Sequence, residues 1–403
     1  MVKEVLDSFF EQFLTKEGLF KDKGVLKASY SPENLPHRDE QKKKVAEILA
    51  PSLNLEKPSN AFIYGKTGTG KTLVTKQVTN KLLELSSKNN KSLKVVYLNC
   101  KLKKIADTEY RLIAQLAREF GKAIPATGLP TEEVYNTFYD ALDNGPSLTI
   151  LILDEIDQLV KKTGDEILYN LTRINEELKK SQLSLVGISN DMRFVDELDP
   201  RVRSSLSEEE VIFPPYNALQ IQDILRQRAE KAFKDDAIEP GVIEKCAAYA
   251  AKEHGDARRA LELLRIAGEL AERNNCNKVQ MKHIDEAEQK IDKDRFLDIV
   301  STQPKQSQAV LYSLLSVSLS RKGDVFTGEV YENYKTLCSK LGLGILTQRR
   351  VSGIISELDM LGIIHMRVIS KGRYGRTREL SLSVPPSINP KIKNVLEDGL
   401  GLS

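Results

Sequence analysis

One eight-residue segment, Gly65-Lys66-Thr67-Gly68-Thr69-Gly70-Lys71-Thr72, constrains this chain more than any other stretch. It fits the pattern GxxxxGK[ST], follows the apolar run of residues 61–64 and leads through Leu73 into a helical stretch. That strand–loop–helix setting is what the pattern requires. Glycines let the backbone N–H groups wrap phosphates at a helix N-terminus, Lys71 supplies a point charge for the outer phosphates, and the Thr72 hydroxyl suits Mg²⁺. Residues 65–73 are therefore the expected cradle for ATP or ADP.

The flanking sequence extends this into an α/β domain over residues 31–215. Short apolar runs (AFIYG, KVVYLNC, LTILILDE, LSLVGISN) alternate with helical stretches, as in a parallel sheet covered on both faces. The third run ends in Asp154 and Glu155. Ligands gather at the carboxyl ends of such strands, so Asp154 is expected on the metal side with Thr72, and Glu155 as the group that polarises an attacking water. Asp157 reads as structural. The fourth run ends at Asn190, whose amide can orient that water or touch the outermost phosphate. An Asn after a strand is ordinarily a turn former; its place in the series is what raises it.

Past Pro214 and Pro215 the strand signals stop, and residues 216–291 read as a purely helical subdomain, with helices over 218–232, 240–254, 257–273 and 279–290. Residues 1–30 read as a short helix and tether, 292–306 as a charged connector, 307–390 as a third unit and 391–403 as a tail. The 403 residues suit two or three domains. No apolar run reaches the ~18–20 residues a membrane span needs, and the N-terminus lacks a secretory signal, so a cytoplasmic, nucleoid-associated protein with no membrane partner is expected. Four scattered cysteines disfavour a disulfide framework or a zinc site.

The third unit carries the charge argument. The whole chain is only +3, yet between Leu341 and Arg378 seven basic residues face two acidic ones, an electrostatic footprint for phosphates. Three helices (307–320, 327–341, 347–361) precede a hairpin, the order of a winged helix. On the third helix Val351, Ile354, Ile355, Leu358 and Leu361 share one face and are expected in the core. Thr347, Gln348, Arg349, Ser352 and Ser356, with Arg350 on a flank, present the candidate recognition surface. The hairpin tip Lys371-Gly372-Arg373-Tyr374-Gly375-Arg376 places basic groups within reach of phosphates or a minor groove. A solvated basic turn is the competing explanation for the tip alone.

The order strand and phosphate loop, strand, strand with Asp-Glu, strand with Asn, then a helical subdomain resembles that of AAA+ ATPases with their lid. The run Gly255-Asp256-Ala257-Arg258-Arg259 resembles the motif that places a lid arginine over the phosphates, with Arg258 the match. The run Asp199-Pro200-Arg201-Val202-Arg203 resembles the box that sends an arginine finger to a neighbouring subunit's nucleotide, with Arg201 favoured over Arg203. Ahead of the phosphate loop, Leu35-Pro36-His37-Arg38-Asp39-Glu40-Gln41 is similar to a box of the Orc1/Cdc6 family of replication-origin initiators, apart from Asp39 standing where Glu is usual.

That resemblance implies several things at once. Leu35, Pro36, His37 and Arg38 would contact adenine. The helical pair around Thr127, Gly128 and Leu129 would be the family's DNA-touching insertion. The partners would be double-stranded origin DNA, an MCM-type replicative helicase and paralogous initiator subunits, with slow ATP hydrolysis as a switch. A branch-migration-type DNA motor, an ATP-dependent transcription regulator and a clamp-loader subunit share the core; the box and insertion favour the initiator, and the wing argues against a clamp loader's helical collar.

Overall fold

The computed structural model describes residues 18–101, 107–125, 128–206, 208–253, 255–320, 325–370, 376–383 and 388–402, and the chain divides into two compact units, Met1–Ile284 and Asp285–Ser403.

In the first unit the apolar runs become β1 (Ala61–Gly65), β2 (Leu93–Asn99), β3 (Ser147–Asp154) and β4 (Ser181–Ser189). A fifth strand, β5 (Glu209–Phe213), has no such run because it is an edge strand: Val211 and Phe213 point inward while Glu209 and Ile212 are exposed. The sheet is all parallel in the order β2-β3-β4-β1-β5. Side chains alternate between its faces, as the pleat requires. Phe62, Leu151, Leu153, Leu183 and Leu185 join one core, while Ala61, Ile63, Ile150, Ile152, Val186 and Ile188 join the other. On the second face lie α1 (Asp39–Leu49) and α2 (Lys71–Lys88), the latter through Val74, Val78 and Leu82. The first face takes α3 (Glu109–Glu119), α4 (Thr131–Leu142), α5 (Ile156–Thr163), α6 (Glu166–Arg173) and α7 (Pro200–Leu206). Both faces are thus covered, which is why central strands read as unbroken apolar runs.

The helical subdomain follows as α8 (Ala218–Ala232), α9 (Val242–Lys252) and α10 (Ala257–Arg273). Asn217 and Gln220 close a reciprocal capping box at the start of α8. The expected helix over 279–290 continues: α11 runs Met281–Ser301. Most of the expected connector is therefore helical, its charges lying on a helix surface.

The second unit holds α12 (Lys305–Ser320), β6 (Val325–Phe326), α13 (Thr327–Leu341), α14 (Gln348–Met360), β7 (Ile364–Ser370), β8 (Arg376–Leu382) and α15 (Asn389–Leu400). The hairpin strands pair antiparallel, and β6 adds a third strand beside β8. Val351, Ile354, Ile355 and Leu358 are buried as expected, but Leu361 is the C-cap of α14 and 41% exposed, because the helix ends before its side chain turns inward. The expected tail is α15, whose Ile392, Leu396 and Leu400 at i, i+4 and i+8 complete this core.

A candidate nucleotide site and a candidate DNA-binding surface

Because β4 lies between β3 and β1, the carboxyl ends of all three strands deliver their functional residues to one place. Lys71, in the first turn of α2, donates to Gly65 O at 2.7 Å, Lys66 O at 2.8 Å and Asn190 Oδ1 at 2.9 Å. Thr72 Oγ1 and Tyr97 OH both donate to Asp154 Oδ2, at 2.8 and 2.6 Å, and Glu155 N donates to Oδ1. These groups, with Asn99 and Arg258, line a polar cavity of about 150 Å³. Gly68 and Gly70 hold left-handed backbone at φ 75° and 91°. A Cβ on Gly68 would also overlap Asp256 Oδ1, so the loop can follow this path only with glycine there.

Burial sets the protonation chemistry. Desolvation, opposed by Asp154 and reinforced by the positive charge of Arg258, lowers the Lys71 ammonium to about 8. Tyr97 moves up, through burial first and then its bond to Asp154. The Cys100 thiol, buried beside Asp154, is pushed up to about 12 and is no nucleophile at neutral pH. Glu155 occupies left-handed backbone at φ 56°, an uncommon conformation for a non-glycine residue, and its carboxylate lies 3.7 Å from Lys101 Nζ. The oxygens of Thr72 and Asp154, 2.8 Å apart, are hard donors of the kind Mg²⁺ takes.

The lid closes one side. Asp256 caps α10 by accepting from the backbone N–H groups of Arg258 and Arg259, and Arg258 lines the phosphate cavity. A larger cavity of about 490 Å³ adjoins it, with Leu35, Pro36 and Leu73 in its wall. Neither His37 nor Arg38 is part of that wall. His37 reaches Asp223 on α8, Nε2 to Oδ2 2.9 Å. Arg38, only 2% exposed, donates to Thr69 O, His37 O and Pro214 O and stacks on the Tyr216 ring at 3.7 Å. These side chains tie the phosphate loop and the end of β5 to the lid. Arg201 and Arg203 stand outside both cavities, paired with Asp199 at 3.1 Å and Asp196 at 3.2 Å.

Tyr97, Asn99 and Lys101 went unnoticed in the sequence. The available signal is register: Asn99 pairs with Asp154 across β2 and β3, so residues around the end of β2 must border the acids. Tyr30, Arg228 and Tyr216 of the larger cavity carry no local signal.

Of the insertion residues, Thr127 lies outside the described residues, Gly128 is exposed with φ 111°, and Leu129 packs partly against the core. Leu129 is therefore less available to a duplex than its loop position suggests.

In the second unit, Thr347 caps α14 by accepting from Arg350 N, and Thr347, Gln348, Arg349 and Arg350 are all exposed at its first turn. Among the described residues, Arg350 makes only a distant pair with Glu357, at 3.9 Å. Ser352 and Ser356 are half-buried instead: Arg378 on β8 donates from NH1 to Ser352 O at 3.2 Å and Ser356 Oγ at 3.3 Å. Arg378, counted in the basic footprint, thus braces the hairpin against α14. Lys371, Arg373 and Tyr374 lie outside the described residues, and Arg376 opens β8.

Known proteins agree with this architecture. An AAA domain model matches residues 55–193, a Cdc6 AAA+ ATPase-type lid domain 222–289, and a CDC6 C-terminal winged helix domain 298–389. The ORC1-type DNA replication protein of Pyrococcus abyssi is 53% identical over 396 residues, 97% of this chain and 93% of that protein. ORC1-type DNA replication protein 1 of Methanosarcina acetivorans is 52% identical over 401 residues, 99% of this chain and 95% of that protein. Among solved structures, the Aeropyrum pernix Orc1 protein in complex with DNA superposes with a TM-score of 0.84 at 46% identity, covering 95% of this chain and 98% of that one. With its parallel AAA sheet, helical lid and winged helix, the chain belongs to the family of ORC1-type DNA replication proteins.

Proposed function

We propose that this protein is an ATP-regulated replication initiator that binds double-stranded origin DNA and promotes loading of an MCM-type helicase, with slow hydrolysis acting as a switch. The observation that carries the reading is the convergence of Lys71, Thr72, Asp154, Glu155 and Asn190 from the core with Arg258 from the lid on one cavity. A lid arginine among phosphate-loop groups makes the lid position responsive to the nucleotide's outer phosphates. Such responsiveness is a two-state element that a ligand can bias.

In this reading residues 65–73 hold the phosphates. Thr72 and Asp154 would hold Mg²⁺, which neutralises phosphate charge when bound. Glu155 accepts the proton of the attacking water while Asn190 and Lys71 orient the outermost phosphate. Arg201, exposed on α7, would reach the nucleotide of a neighbouring initiator subunit, making efficient hydrolysis depend on assembly. The exposed first turn of α14 would enter a major groove, as supported by the name and DNA-bound form of the Aeropyrum pernix relative.

The test is footprinting of the full chain on chromosomal DNA flanking its own gene, with ATP and with ADP, alongside the ATPase rate with and without that DNA. Protection of a discrete repeated site with turnover well below about one per second is expected. Sequence-indifferent binding with strong stimulation of hydrolysis would replace the initiator by a DNA motor.

A further inference from the structure

The turn that leads into α14 is held more tightly than its composition suggests. Residues 341–346 read Leu-Gly-Leu-Gly-Ile-Leu, with Gly342 in left-handed backbone at φ 65° closing α13. Two glycines in an irregular segment leave its backbone free to shift unless something ties it down. Leu343 and Leu346 pack against the core, and hydrogen bonds then fix the backbone. Both backbone polar groups of Leu346, the residue ahead of the Thr347 cap, are taken by side chains of α13. Tyr334 OH accepts from Leu346 N at 3.2 Å, and Tyr331 OH donates to Leu346 O at 3.1 Å. The two tyrosines stand at i and i+3 on one face of the helix, their rings stacked at 6.2 Å.

Gln306, in the first turn of α12, closes the circuit. Tyr334 OH donates to its Oε1, and its Nε2 donates to Gly344 O at 2.9 Å. A directed chain of hydrogen bonds thus runs from Leu346 N–H through a tyrosine hydroxyl and an amide back to Gly344, and its members polarise one another. Packing alone does not call for these hydroxyls. Tyr334 is fully buried, where a phenylalanine ring would fill nearly the same space; a buried phenol is kept where its O–H has a partner to hold.

Thr347, Gln348, Arg349 and Arg350 follow directly, all exposed. Attraction to phosphate tolerates small displacements of a side chain. Contact with base edges does not, and a reading side chain must be held to within about 0.5 Å by supporting interactions. We propose that Tyr331, Tyr334 and Gln306 are positioning residues for sequence recognition: they fix the entry of α14, so that its first turn meets base edges at one depth and one angle. The inference rests on the reading of α14 as the groove-entering helix and adds what makes that helix selective. Loss of the clamp is felt in the ratio of specific to non-specific binding and not in attraction to the polyanion.

The experiment is fluorescence-anisotropy titration of the full chain on two duplexes: the one the wild type protects in the footprint described above, and a scrambled duplex of the same length and composition. Wild type, Tyr331→Phe, Gln306→Ala and Asn333→Ala are compared, each with a thermal melt. Asn333 is the control: it lies on α13 outside the circuit and ties that helix to α12 by donating to Ser313 O at 3.2 Å. Tyr331→Phe and Gln306→Ala should each weaken binding of the protected duplex about tenfold, the size of one lost base contact. Affinity and salt slope on the scrambled duplex should stay unchanged. Asn333→Ala should lower the melting temperature by a similar amount and leave the ratio of the two affinities as it is. A preserved ratio in either clamp variant, an equal weakening on both duplexes, or a ratio that falls in Asn333→Ala as far as in Tyr331→Phe would each overturn the inference. A wild type that binds the two duplexes alike would instead remove the reading of α14 itself, and the role of the clamp with it.

Discussion

Lys71 and Arg349 are both cations proposed to meet phosphate, and the protein treats them in opposite ways. Lys71 is buried, with three acceptors within 2.9 Å. Arg349 stands exposed in the first turn of α14. A site that must discriminate a triphosphate from a diphosphate gains from donors fixed before the ligand arrives. A surface that must slide along a polyanion gains from hydrated, mobile charges whose attraction comes largely from counterion release. The difference separates the two units into a rigid cradle and a compliant electrostatic face.

The largest effect is expected at the cradle. Lys71→Ala should weaken ATP and ADP on the order of a hundredfold or more, since two charge-assisted contacts at ~1.5–3 kcal/mol each disappear, while DNA affinity changes little. Radiolabelled ATP retention measures the first and fluorescence anisotropy the second. The lowered Lys71 value of about 8 adds a sign. Above pH 8 the empty site holds a largely neutral amine, and arriving phosphates raise its pKa again, so binding takes up a proton and affinity falls as pH rises from 8 to 9. Binding enthalpies at pH 8.5 in two buffers of different ionisation enthalpy should differ in the direction of uptake; equal values would mean Lys71 is not poised.

Arg38 sharpens the comparison from inside the first unit. It is more deeply buried than Lys71, and its three donors hold carbonyls of three separate segments, at Thr69, His37 and Pro214. Arg38→Ala leaves Thr69 O and Pro214 O without their partner and should cost about 2–4 kcal/mol of stability. Nucleotide affinity should fall equally for every base, because the loop backbone is what loosens. Arg38→Lys should not rescue, as one ammonium cannot span both carbonyls in place of a planar fork. A base-selective loss with an unchanged melting temperature would make Arg38 an adenine contact after all.

This residue also marks the limit of sequence reading. The phosphate loop, the Asp154–Glu155 pair and the buried face of α14 are legible because each rests on short-range spacing: a glycine pattern, a strand end, an i, i+3, i+4 repeat. Arg38 and Arg228 are both conspicuous next to aromatic partners, Tyr216 and Tyr30, that lie 178 and 198 residues away in the chain. No local pattern foretells either stack. β5 escaped notice for a related reason: an edge strand needs only one buried face, so EEVIF shows no apolar run. α15 was hidden by composition, since residues 391–403, with four charged side chains in the first eight, read as a tail until Ile392, Leu396 and Leu400 are placed on one stripe.

The smallest effects, and the finest test of the comparison, lie within the second unit, where two arginines of the same basic footprint are built differently. Arg349 is exposed. Arg378 donates to Ser352 O and Ser356 Oγ, joining β8 to the middle of α14. If the DNA-binding face is a set of hydrated charges, Arg349→Ala should weaken duplex binding roughly fivefold to tenfold, flatten the salt dependence by about one phosphate contact, and leave stability within about 0.5 kcal/mol. Arg378→Ala should do the reverse: lower stability by about 1 kcal/mol through its lost hydrogen bonds, and weaken DNA only by loosening the hairpin against the helix, with the salt slope unchanged. Binding titrations between low and moderate salt, paired with thermal melts, separate the two outcomes. A flattened salt slope in Arg378→Ala would show that a braced side chain also neutralises a phosphate, and the division between rigid cradle and compliant face would then fail within the winged helix itself.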